Sequence, residues 1–100
     1  MRAKFVNEYD SSHNIVYVGI LSKNKDLIKK LLSLLKNLYK TVKINQAPNN
    51  WIDILIYDNK ANVDYISKTL SDILEIPIHK ENDGEITIEN EEINVTVTYI

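Results

Sequence analysis

The strongest constraint on this chain is an arrangement that occurs twice: an apolar run with strand character, followed by a run with helix character. Ile15-Val16-Tyr17-Val18-Gly19-Ile20-Leu21 leads into residues 22–40, and Trp51-Ile52-Asp53-Ile54-Leu55-Ile56-Tyr57 leads into residues 60–75. β-Branched and aromatic residues suit the pleated surface of a strand, whereas apolar residues three and four apart suit one stripe of a helix. Two such units predict a sheet with two helices packed on one side. They share a pattern, not a repeated sequence.

The first helical stretch carries Leu27, Ile28, Leu31, Leu32, Leu34, Leu35, Leu38 and Tyr39 as a wide apolar face. Ser22 is placed to cap its start by accepting from an orphan backbone N–H. On the opposite side Lys25, Lys29, Ser33, Lys36 and Lys40 fall within about 80° of one another at about 100° per residue. The second stretch repeats the theme with Val63, Ile66, Leu70, Ile73 and Leu74, with Asp64 and Lys68 spaced to pair one turn apart. Pro77 stops it and pushes Ile76 into an extended conformation.

Alternation assigns the faces of the strands. Val16, Val18 and Ile20 share one side, with Tyr17 and Gly19 on the other. Ile52, Ile54 and Ile56 oppose Trp51, Asp53, Leu55 and Tyr57. A carboxylate resists burial, so the isoleucine side is predicted to face the helices.

Further strands are expected at residues 3–9, 41–46, 76–80, 85–89 and 93–100. They are separated by turn residues at Asp10-Ser11-Ser12-His13-Asn14, Ala47-Pro48-Asn49-Asn50, Asn82-Asp83-Gly84 and Asn90-Glu91-Glu92. The Trp51 strand starts so soon after Pro48 that a hairpin is expected there, not a parallel crossover. The order strand–helix–strand–strand–helix–strand predicts an α+β fold with a ferredoxin-like βαββαβ core. Its sheet is expected to be mainly antiparallel with two helices on one face, plus an N-terminal strand and a C-terminal hairpin. A single domain over residues 1–100 fits this length.

Composition narrows the class. Hydrophobic residues make up 44% and charged residues 26%, the profile of an ordinary globular chain. The absence of cysteine excludes disulfides and thiolate metal sites and favours an intracellular, cytoplasmic home. No apolar run reaches the roughly 18 residues of a membrane span, and Met1-Arg2-Ala3-Lys4 lacks the apolar stretch of a secretion signal. The formal net charge of −2 hides an asymmetry. Residues 1–50 carry nine Lys/Arg and three Asp/Glu, whereas residues 51–100 carry three Lys and eleven Asp/Glu. A basic and an acidic region are therefore expected, suited to a charged partner.

At the level of motifs, Val16-Tyr17-Val18-Gly19-Ile20-Leu21 resembles the first sheet signature of the RNA-recognition-motif family, with Tyr17 at its stacking-aromatic position. Trp51 to Tyr57, followed by a helix, is similar in place to that family's second signature. The resemblance covers roughly residues 15–80. It implies single-stranded RNA as partner, its bases stacked on Tyr17, Trp51 and Tyr57. The chain departs from the family pattern at Ile20, where Asn is usual, and in lacking the Lys/Arg-Gly start of the second signature. Asp53 falls where that signature has its second aromatic. Lys29, Lys36 and Lys40 of the helical stripe would add phosphate contacts, the alternative being a solvated helix face. A looser resemblance, carried by the strand and helix from Trp51 to Leu74, is to the small dimerising subunit of the KEOPS tRNA-modification complex. That resemblance implies an assembly role without chemistry.

Catalytic groups are sparse. His13 and His79 are the only histidines, and glycine is confined to Gly19 and Gly84, which leaves no loop to cradle phosphate. His79, Glu81 and Asp83 alternate as a metal site would, but the Asn82-Asp83-Gly84 turn breaks their strand. Acidic pairs such as Asp53 and Asp58 have no evident partner chemistry. No enzyme activity, metal or cofactor is expected. The uncharged segment 93–100 would be an aggregation hazard at a bare sheet edge. Val95, Val97 and Tyr99 are therefore expected either to pair within the sheet or to form an interface across a dimer. The expected function is a non-enzymatic binding or assembly subunit, RNA-associated, acting through its open sheet face and edge strands as a homodimer or within a complex. The alternative is a protein-interaction module, an inhibitor or regulator, whose acidic C-terminal half meets a basic site on its partner.

Overall fold

The structure, a computed structural model, describes residues 15–47 and 49–100. The strand expected at Ala3–Tyr9, the turn at Asp10–Asn14 and Pro48 lie outside the described residues. In chain order the elements are β1 (Ile15–Ser22), α1 (Lys25–Leu38), β2 (Val42–Gln46), β3 (Ile52–Tyr57), α2 (Val63–Leu74), β4 (His79–Lys80), β5 (Ile86–Glu89) and β6 (Ile93–Tyr99). The six strands form one antiparallel sheet in the order β2-β3-β1-β6-β5-β4. The fold is α+β and is compatible with a ferredoxin-like arrangement.

Faces follow the alternation read from the sequence. Val18 lies opposite Ile54 on β3 and Val97 on β6, and all three are fully buried. The same apolar face continues through Val16, Ile20, Ile56, Val95, Ile86 and Ile88. Ile28, Leu31 and Leu35 of α1 and Val63, Ile66 and Leu70 of α2 join that same core cluster. Both helices therefore cover one side of the sheet. Hydrophobic burial on this face is what holds the layers together.

Several sequence expectations are corrected by the structure. The strand after the second helix is only the two-residue β4 at the sheet edge, and the place beside β1 belongs to β6. Proline has no N–H for a ladder, so the Pro77 segment suits an edge, whereas β6 alternates buried Ile93, Val95 and Val97 over seven residues. Consequently β6 is paired on both sides, and Val95 and Val97 are sealed in the core of their own chain, not offered to a partner. Of the three expected interface residues only Tyr99 is exposed, at 50%.

Helix starts and pairs also differ in detail. Asn24, not Ser22, caps α1, its side chain accepting from the Leu27 N–H at 3.1 Å. Ser22 is the last residue of β1 and donates its hydroxyl to the Glu92 carbonyl at 2.9 Å. Asn62 caps α2 in the same manner, and Glu75 ends it in the left-handed region with φ 60°. Lys68 pairs with Asp72 at 3.3 Å, while Asp64 lies 3.8 Å from Lys80 on β4, the cation that the fold brings to it.

Turns match their residues. Ala47 donates to the Trp51 carbonyl at 2.7 Å, and Asn50 takes φ 72°, closing the β2–β3 hairpin. Gly84 takes φ 89° in the β4–β5 turn, a conformation that glycine adopts without a Cβ clash. Asn90 accepts from the Glu92 and Ile93 N–H groups to close the β5–β6 turn.

Candidate functional site

The face of the sheet turned away from the helices is covered by no described element. It presents Tyr17, Gly19 and Leu21 from β1, Lys43 and Asn45 from β2, and Asp53, Leu55 and Tyr57 from β3. From the other half come Thr96 and Thr98 of β6, and Thr87 and Glu89 of β5. Tyr17, Trp51 and Tyr57 are half-buried there, as the alternation of Val16, Val18 and Ile20 on β1 and of Ile52, Ile54 and Ile56 on β3 dictates.

Tyr17 is laid flat by its neighbour. A Cβ on Gly19 would stand 2.5 Å from the Tyr17 hydroxyl, so only glycine lets the phenol cross its own strand. The hydroxyl then donates to Asp53 Oδ1 at 2.6 Å, joining β1 to β3 across the open face. A shallow depression results, lined by Tyr17, Asn49, Trp51, Asp53, Glu85 and Thr96. Burial, the bond to Asp53 and the negative charges of Asp53 and Glu85 together push the Tyr17 phenol up to about 12.

The remaining charges of the face are mostly carboxylates. Glu89 accepts from the Asn94 side-chain amide at 3.0 Å, and Glu81 lies 3.4 Å from His79 and from the Thr87 hydroxyl. Asp83, the third member of the histidine–carboxylate alternation, accepts from the Glu85 N–H within the turn. Lys43 is a cation on this side, its Nζ 5.2 Å from the centre of the Tyr57 ring.

The predicted nucleic-acid constellation is divided by the sheet. Tyr17, Trp51 and Tyr57 stand on the open face, while Lys29 and Lys36 are exposed on α1 and Lys40 just beyond it, on the helix side. A helical stripe and a strand row read separately from sequence cannot reveal that a layer of backbone stands between them. Among the residues of the depression, Glu85 and Thr96 were singled out by no motif. Their signal was alternation: Ile86 and Ile88 inward place Glu85 outward, and Val95 and Val97 inward do the same for Thr96. Their closeness to Asp53 depends on β6 lying beside β1, which no local pattern states.

No family model, no curated protein and no solved structure matches this chain. Among the described residues no helix is long and apolar enough to cross a membrane.

The Tyr17–Asp53 bond gives a titration prediction. The folded phenol ionises at about 12 against an unfolded value of 10.0. Its contribution to stability is therefore complete below pH 10 and is lost as pH rises toward 12. Asp53→Asn keeps an acceptor for the hydroxyl but removes the charge, so Tyr17 should ionise at lower pH. Tyrosinate absorbance, with Tyr17→Phe subtracted to isolate the residue, checks this; an unchanged Tyr17 titration in Asp53→Asn would refute the electrostatic part of the account.

Proposed function

We propose that this chain is a ferredoxin-like, non-enzymatic binding subunit that docks a basic protein surface onto its open sheet face. The ferredoxin-like assignment is supported by the order β2-β3-β1-β6, in which β3 lies between the two strands that α1 connects. The docking role is supported above all by one observation. Asp53 and Glu85 line the depression beside the half-buried Tyr17 and Trp51, and Glu81 and Glu89 stand beside Thr87 and Asn94, while the lysine stripe of α1 lies on the other side. Phosphate would be repelled there, whereas lysine and arginine side chains of a protein partner would be drawn in. We place such a subunit in the cytoplasm, as part of a complex.

Trp51 is the only tryptophan and lines the depression, so its emission reports directly on this face. Titration with an arginine-bearing basic peptide should shift that emission, with affinity falling as salt rises. A mixed-sequence single-stranded RNA should leave it unchanged. A shift on adding RNA, with none on adding the peptide, would reverse the assignment toward nucleic acid.

A further inference from the structure

We propose that the depression between Tyr17, Trp51, Asp53 and Glu85 seats an arginine side chain presented by an extended basic segment of the protein partner. This rests on the open face being the docking surface for a basic protein and identifies the group that anchors it. The concavity is built of two kinds of wall, carboxylate and aromatic. Among the described residues no lysine or arginine pairs with Asp53 or Glu85, so no described cation neutralises their negative charge. Tyr17 occupies Asp53 Oδ1 and so fixes the carboxylate, leaving Oδ2 for an incoming donor.

Guanidinium suits both kinds of wall. It is planar, carries five N–H donors for carboxylate oxygens, stays charged at any ordinary pH, and rests its face on an aromatic ring. An ammonium is a compact, strongly hydrated charge that makes less use of Trp51. Ca2+ or Mg2+ needs six or more oxygen ligands, and this lining offers two carboxylates beside rings and amides. No group of three or more His, Cys, Asp or Glu among the described residues is arranged to hold a metal.

The test compares two lysine- and serine-rich peptides that differ at one central position, arginine in one and its neutral isostere citrulline in the other. Trp51 emission is the readout on the full chain at low salt. The arginine peptide should bind about tenfold more tightly, the scale of a charge-assisted hydrogen bond. Glu85→Gln and Asp53→Asn should each erase most of that difference, whereas Glu91→Gln on the β5–β6 turn should leave it intact. Glu85 makes no side-chain bond with a described residue, so its substitution keeps the fold, and circular dichroism confirms that for both variants. Equal binding of the two peptides, or equal effects of Glu85→Gln and Glu91→Gln, overturns the arginine seat while leaving the acidic docking face standing. Failure of both peptides to bind removes the docking face and the seat together.

Discussion

Val97→Asp should abolish the cooperative folding of this chain, while Thr98→Lys, one residue along, should leave it folded. Val97 is fully buried at the meeting of β1, β6 and β5, opposite Val18 and Ile86. A carboxylate there has no described cation to meet and no water to enter. Desolvating it is expected to destabilise by more than about 4 kcal/mol, a large share of the about 5–15 kcal/mol that holds a typical domain together. Thr98 projects onto the open face, where a long cationic side chain reaches solvent and the change should stay within about 1 kcal/mol. Urea denaturation followed by circular dichroism separates the two outcomes. Similar transitions for both variants would mean that β6 does not lie between β1 and β5.

Leu31→Ala is the second large effect. Leu31 is the fully buried centre of the α1 stripe, with Ile28 and Leu35 one turn to either side. Truncation removes its transfer free energy and leaves a void that the surrounding isoleucines fill only in part. The expected loss is about 3 kcal/mol. Lys29→Ala, on the exposed side of the same helix, should change stability by no more than about 0.5 kcal/mol. Equilibrium unfolding of the two variants measures the contrast. A loss below about 1 kcal/mol for Leu31→Ala would place α1 away from the core.

Much of the architecture was legible where a local pattern carries it. The stripe of Ile28, Leu31 and Leu35 announces α1, and the alternation of Ile52, Ile54 and Ile56 against Asp53 fixes which side of β3 is covered. Asn82-Asp83-Gly84 announces its hairpin because the turn needs a positive φ that Gly84 supplies. What was not legible is non-local. Residues 76–80 and 93–100 both read as strands, and choosing which lies beside β1 requires comparing whole-sheet burial. The N-cap shift from Ser22 to Asn24 is a competition between two good capping residues, decided when Ser22 pairs with Ile93 as part of the sheet. The aromatic half of the site was visible residue by residue, but its carboxylate half was not, because Asp53 on β3 and Glu85 just before β5 are brought together only through β1 and β6.

The central seat of β6 also governs how fast the molecule can assemble. Among the described strands, β2-β3-β1 on one side and β5-β4 on the other are hydrogen-bonded into one sheet through that strand. Its contact with the end of β1 is fastened by Ser22 and Glu92, 70 residues apart in the chain. Hairpins β2–β3 and β4–β5 form from near neighbours, whereas docking β6 demands that most of the polypeptide be gathered first, an entropic toll that grows with loop length. The rate-limiting barrier is therefore expected at that long-range closure, and stopped-flow refolding should be slower than that of helical bundles of similar length.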